Sequence, residues 1–173
     1  QSMIDAMSIV GSKFSAGEIF IPEMLIAAKA MKKGVEVLEP HLASGDVSSL
    51  GTCVIGTVAG DLHDIGKSLV SIMIGSSGFD MVDLGVDVPA EKFVAAIKEN
   101  NNVKLVALSG LLTTTMPAMK EAVAAIKGSG AEGFKVIVGG APVTPQYAEE
   151  IGADAYAPDA GGAAVKAKEI VKA

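Results

Sequence analysis

Gly51-Thr52-Cys53-Val54-Ile55-Gly56-Thr57-Val58-Ala59-Gly60-Asp61-Leu62-His63-Asp64-Ile65-Gly66-Lys67 runs an apolar, β-branched segment straight into a polar loop. Residues 52–59 read as a buried strand and 66–77 as the helix after it. The loop between them holds one of the chain's two histidines, set between two carboxylates. Two readings stand. A carboxylate that accepts Nδ1–H would leave Nε2 of His63 free as a metal ligand or base. Alternatively, Asp61 or Asp64 simply caps the next helix.

Outward from this stretch, the strand–helix alternation continues. Strands are expected at 81–84, 105–109, 135–138 and 153–156, and helices near 90–100, 117–127, 145–151 and 161–172. Five short apolar strands alternating with helices imply an α/β fold with a parallel, doubly wound sheet, covered on both faces. The expected topology is flavodoxin-like (Rossmann-like), with strand order 2-1-3-4-5 and right-handed crossovers. Ligands in such sheets bind beyond the carboxyl ends of the strands, where the order reverses. Functional residues should therefore follow strands one, three and four.

Residues 1–45 differ in character and read as a partial helical bundle. Met3, Ile4, Met7 and Val10 follow helical spacing, and Gly11 and Ser15-Ala16-Gly17 are expected to break it. Pro22 sits where a second helix begins; Leu25, Ala28, Met31, Val35 and Leu38 mark one face of it up to Pro40. These helices must pack on the following domain, on further helices or on a partner. Residues 46–50 form a polar linker, and 51–173 make up the α/β domain.

Composition narrows the function. Half of the 173 residues are hydrophobic, Trp is absent, and 20 glycines suit close backbone packing. No apolar run approaches the roughly 18–20 residues of a membrane helix, so no membrane role is expected. A formal charge of −6 argues against nucleic acid as a partner. The single cysteine, Cys53, excludes an internal disulfide and a clustered thiolate site, which points to the cytoplasm. The chain begins at Gln1 rather than Met and is expected to be part of something longer.

After the third strand come Ser109-Gly110-Leu111-Leu112-Thr113-Thr114-Thr115. The hydroxyls can line a slot for a flat, weakly polar group, or one Thr can cap the helix that starts near Met116-Pro117. After the fourth come Gly139-Gly140-Ala141-Pro142, either a surface for a ligand lying on bare backbone or an ordinary tight turn. Neither this pair nor Gly128-Ser129-Gly130 has the spacing of a dinucleotide or P-loop fingerprint. A closed zinc site needs about four ligands. His41, in the linker region, and Cys53, within a strand, are not obvious partners for His63. A metal here must take most of its coordination from a cofactor.

The order Asp-x-His-x-x-Gly (Asp61, His63, Gly66), Ser-x-Leu (Ser109, Leu111) and Gly-Gly (Gly139, Gly140) resembles the signature of cobalamin-binding domains. The intervals, 42 residues between Gly66 and Ser109 and 27 between Leu111 and Gly139, are similar as well. Phe14, Phe20-Ile21-Pro22-Glu23 and Ala30-Met31 resemble the helical cap of methyl-transferring members, such as methionine synthase and the corrinoid proteins of methanogens and acetogens. The resemblance implies that His63 is the lower axial ligand of cobalt, Asp61 its hydrogen-bond partner and Thr115 the end of that relay. Thr115 stands where the family often has Ser. The nucleotide tail of the cofactor would pass Gly66 into a slot beside Ser109, Leu111, Thr113, Gly139 and Gly140. Asp64, Ile65 and Leu112 flank it, Tyr156, Asp159, Ala160 and Gly161 reach its outer end, and Phe14 and Ile21 shield the upper face.

The resemblance further implies a corrinoid methyl carrier that cycles between Co(I) and methyl-Co(III) and is not catalytic alone. Its partners would be a substrate-specific methyltransferase and a second methyltransferase with a folate or thiol acceptor, with a reductive activator besides. The family cap usually has four helices, and about half of it precedes Gly45. The rest would lie elsewhere in a longer chain or come from a neighbouring copy, and exposed apolar surface would favour a homo-oligomer. Three alternatives remain: the cobalamin domain of an adenosylcobalamin-dependent mutase, a cobalamin sensor, and a flavodoxin-like signalling domain. The cap counts against the mutase. The sensor lacks its usual tryptophan motif and basic domain, and the signalling domain leaves the His63 loop unexplained.

Overall fold

The computed structural model describes residues 2–38 and 49–172. Two helices, α1 (Ser2–Ser15) and α2 (Ile21–Leu38), precede an alternating series: β1 (Thr52–Thr57), α3 (Ile65–Gly75), β2 (Asp80–Asp83), α4 (Ala90–Glu99), β3 (Val103–Ser109), α5 (Met116–Lys127), β4 (Lys135–Gly139), α6 (Pro145–Glu150), β5 (Ala155–Ala157) and α7 (Ala160–Lys172). The strands form one parallel sheet in the order β2-β1-β3-β4-β5, the flavodoxin-like order that the alternation predicts. His41 and residues 46–48 of the expected linker lie outside the described residues.

The two-residue period of the strands divides the core. Val54, Val106, Leu108, Val136 and Val138 meet Phe93, Met119 and Ile126 from α4 and α5 on one face. Cys53, Ile55, Leu105, Ala107, Ile137 and Ala157 meet Ile74, Ala163 and Ala167 from α3 and α7 on the other. Alanines on α7 let that helix approach the sheet closely. A third cluster, with Met7, Met24 and Ala28 against Met73, Ala160 and Ala164, seats α1 and α2 on α3 and α7. Of the surfaces open to the first two helices, the following domain supplies this one.

Gly11 does not break α1, contrary to the sequence expectation. It is buried, and a Cβ there would lie 3.0 Å from Met73 Cε and 3.9 Å from Gly161 Cα. A glycine within a helix costs about 1 kcal/mol relative to alanine. Here it lets α1 pack directly on its neighbours. The helix ends at Ser15, two residues before Gly17, whose φ of 71° is left-handed. The next helix opens with the Phe20 N–H bonded to Glu23 Oε2 at 2.9 Å, which satisfies one donor at its start.

Candidate functional site

The loop after β1 is shaped around one buried carboxylate. Asp61 is fully buried, and its two oxygens are used separately. Oδ1 accepts the His63 backbone N–H at 3.0 Å and lies 2.7 Å from Nδ1. Oδ2 accepts the backbone N–H groups of Leu111 at 2.6 Å and Leu112 at 3.3 Å, which ties this loop to the one after β3. Burial pushes the Asp61 carboxyl up, but the bonds from Leu111, His63 and Leu112 outweigh it and bring the pKa down to about 2. An ionised carboxylate only accepts, so Nδ1 must be the donor and Nε2 carries the lone pair of the neutral imidazole. His63 is half exposed and lines the mouth of the adjoining cavity.

Thr115 is buried behind this pair, at the start of α5. Its Oγ1 lies 3.3 Å from Asp61 Oδ2 and 2.9 Å from the Leu112 carbonyl, so one hydroxyl proton serves two acceptors. The hydroxyl does not cap α5, although Thr115 holds the cap position. Asp64 likewise stands at the N-cap of α3 without a side-chain capping bond. Its backbone carbonyl instead accepts the Ser68 N–H at 2.7 Å. The capping alternatives for Asp64 and Thr115 therefore do not hold.

A cavity of about 290 Å³ opens beside His63 and runs along the carboxyl ends of β1, β3, β4 and β5, on the α3 and α7 side of the sheet. Ser109, Leu111, Gly139, Gly140, Gly66, Asp159 and Ala160 line it, and so does Phe14, which the sequence reading places over the upper face instead. Tyr156 does not. The strand period turns it to the opposite face, where it packs with the α4 and α5 core, while its neighbour Ala157 faces the cavity. Gly161 is buried against Gly11, and Ile21 and Thr113 are exposed away from the lining. Ile65 and Leu112 are exposed at the loop ends nearby.

The glycines act in different ways. A Cβ on Gly66 would meet nothing within 4 Å, so this position is open cavity wall. On Gly139 it would lie 2.8 Å from the Ala157 carbonyl oxygen, and on Gly140, at φ +135°, 1.8 Å from that of Gly110. The Gly-Gly pair is thus required by contact between neighbouring backbones, in addition to lining the slot.

Three residues that support the loop carry no role in the sequence reading. Thr57 Oγ1–H donates to the His63 carbonyl at 2.8 Å. Lys67, almost fully buried, places Nζ 2.6 Å from both oxygens of Asp83 and joins α3 to β2. Asp87 accepts the Gly60 N–H at 2.7 Å. A polar residue near the end of the apolar run, at Thr57, was a readable signal. The other two depend on how β2 folds back onto the loop.

Among the described residues no group of three or more His, Cys, Asp or Glu could hold a metal ion. Burial pushes the Cys53 thiol well up, so it stays protonated. One exposed imidazole suits a metal whose remaining bonds belong to a macrocycle, and the narrow glycine-walled cavity beside it suits an elongated substituent. These residues fit a corrinoid. Residues 51–167 match the model of the B12 binding domain and residues 1–39 a second B12 binding domain model. The chain belongs to the B12-binding domain family, and its cofactor is a corrinoid.

Within that family it is a corrinoid protein of methyltransferase systems. It is 46% identical over 167 residues to dimethylamine corrinoid protein 1 of Methanosarcina acetivorans, covering 95% of this chain and 78% of that one. A cobalamin-binding protein from Desulfitobacterium hafniense superposes with a TM-score of 0.82 at 36% identity, over 96% of this chain and 78% of the other. The methanol:cobalamin methyltransferase complex from Methanosarcina barkeri contains a chain that superposes at 0.83 and 30% identity, over 98% of this chain and 65% of the other.

Proposed function

We propose that the chain carries methyl groups in a methylamine methyltransferase system, with His63 Nε2 as the lower ligand of the corrinoid cobalt. The observation that carries this reading is the 2.7 Å contact from Nδ1 to a buried, ionised Asp61 at the mouth of the cavity. When bound, the corrinoid supplies a cobalt centre able to accept a methyl group and release it. The chain's own residues hold and orient. Asp61 keeps Nδ1 protonated and fixes the ring, so that Nε2 is the nitrogen offered. When Nε2 is disengaged it can take a proton from solvent, and Nδ1 remains the donor to Asp61. The slot beside Ser109, Gly139 and Gly140 would hold the nucleotide tail, and Phe14 would close its side nearest α1.

The dimethylamine corrinoid relative supports a methylamine as the donor. One methyltransferase would load the methyl group, a second would pass it to a folate or thiol, and a reductive activator would restore the cobalt, all in the cytoplasm. Residues 1–45 would act as the cap, 46–50 as the linker and 51–173 as the cobalamin-binding domain. Ile9, Phe20, Ile26 and Val37 stand exposed on α1, α2 and the turn between them, which supports association of this face with further helices or another copy.

Reconstitution with cobalamin tests the reading. The reduced Co(II) protein should show an EPR splitting from one imidazole nitrogen, and His63→Ala should lose it while still holding the corrin. An unchanged signal in His63→Ala would remove His63 from this role. Methylation of the loaded protein by a dimethylamine-specific methyltransferase plus dimethylamine tests the donor; no methylation would overturn it.

A further inference from the structure

The loop after β2 lies outside the four loops that line the cavity, yet it is tied to the histidine loop at several points. Thr57 N–H donates to the Gly85 carbonyl at 3.0 Å, and Val88 N–H returns to the Thr57 carbonyl at 2.9 Å. Val58 and Val88 form a parallel bridge. Asp83 Oδ1 accepts the Gly85 N–H at 2.9 Å and is itself held by Lys67. Asp87 makes the closing contacts. Its N–H donates to the Asp61 carbonyl at 2.9 Å, and its Oδ1 accepts the Gly60 N–H at 2.7 Å.

Asp87 takes φ 52°, and Gly60 beside it takes φ 80°. A side-chain-bearing residue in the left-handed region costs free energy and persists where its surroundings over-determine it. Here the strained residue offers an acceptor to the N–H of Gly60 and a donor to the carbonyl of Asp61, two successive residues. The bonds on the Asp61 carboxylate fix its oxygens, and the Asp61 N–H donates to the Val58 carbonyl at 3.2 Å, which holds its main chain on the N-terminal side only. The two Asp87 bonds hold that main chain, and with it the origin of the side chain that carries His63.

We propose that Asp87 is a positioning residue for the Asp61–His63 pair, acting through the Gly60–Asp61 backbone to set where Nε2 points. The proposal rests on the reading of His63 as the cobalt ligand, and its test separates the two. Asp87→Gly keeps the left-handed conformation, relieves its strain and removes the acceptor. Asp87→Asn keeps both, because asparagine tolerates positive φ and retains Oδ1. Urea midpoints establish that each variant folds.

In the cofactor-free protein, solvent exchange of the His63 Nδ1 proton, read by NMR, should quicken about fivefold to tenfold in Asp87→Gly, the factor expected for one lost hydrogen bond. Asp87→Asn should restore the wild-type rate. After reconstitution with cobalamin and reduction, Asp87→Gly should show a smaller fraction of imidazole-ligated Co(II) by EPR, again restored in Asp87→Asn. Wild-type exchange and ligation in Asp87→Gly would overturn the proposal, as would an Asn variant as impaired as the Gly variant. If wild-type Co(II) shows no imidazole nitrogen, the ligand reading fails, while proton exchange in the cofactor-free protein still decides whether Asp87 positions the pair.

Discussion

The mouth and the floor of the cavity are held by opposite means. At the mouth, His63 is half exposed and owes its orientation to directional bonds converging on Asp61 from Leu111, Leu112 and its own backbone. At the floor, Gly139, Gly140 and Gly110 lie so close that their order comes from missing side chains. Orientation of one nitrogen needs hydrogen bonds, because packing cannot fix a side chain that must face solvent. Depth needs glycine, because any Cβ would push the neighbouring backbones apart. The two regions should therefore fail differently.

The largest effect is expected at the floor. Gly140→Ala sets a Cβ against the Gly110 backbone at a φ that alanine rarely adopts, and should cost about 3 kcal/mol or more. A urea titration measures it, and a wild-type midpoint would show that the floor can relax. At the mouth, Asp61→Ala leaves the part-buried N–H donors of Leu111 and Leu112 without their acceptor and should cost about 1–3 kcal/mol. Loss of the Co(II) imidazole signal should accompany it, whereas a folded Gly140 variant should keep that signal.

Acid separates the regions further. Asp61 titrates near 3.8 when unfolded and near 2 when folded, so between these values the unfolded chain binds more protons. Its stabilisation is complete above the upper value and is lost as pH falls through the lower one. Stability measured against pH should show this fall in the wild type and lack the Asp61 share of it in Asp61→Asn. Thr115→Val, which removes one shared hydroxyl proton, should cost only about 0.5–1.5 kcal/mol, with Thr115→Ser close to wild type by thermal unfolding. Gly66→Ala marks the small end for stability. Its Cβ meets nothing and it lies in the first turn of α3, so unfolding should shift toward greater stability by no more than about 1 kcal/mol, while corrinoid affinity, read by spectral titration, should drop.

Much of this was legible beforehand, for physical reasons. Apolar runs of strand length separated by helical patterns leave few ways to bury both faces of a sheet, and the observed order follows. His63 and Asp61, two residues apart, are near enough to meet through local geometry alone. Gly11 was misread because a helix-breaking propensity of about 1 kcal/mol is smaller than the packing it permits. Tyr156 was misplaced because a one-residue shift in a strand reverses the face, and its β5 has only three residues from which to read the phase.

The sequence by itself determined the sheet, the loops at its carboxyl edge and the pairing of His63 with Asp61, since these depend on local periodicity and short spacing. Tertiary structure decided that Thr115 shares its hydroxyl proton instead of capping a helix, that Gly140 yields to the Gly110 backbone, and that Asp87 braces Asp61. The Thr115–Asp61, Gly140–Gly110 and Asp87–Asp61 contacts each join residues at least 26 positions apart, where chain folding alone sets the distance.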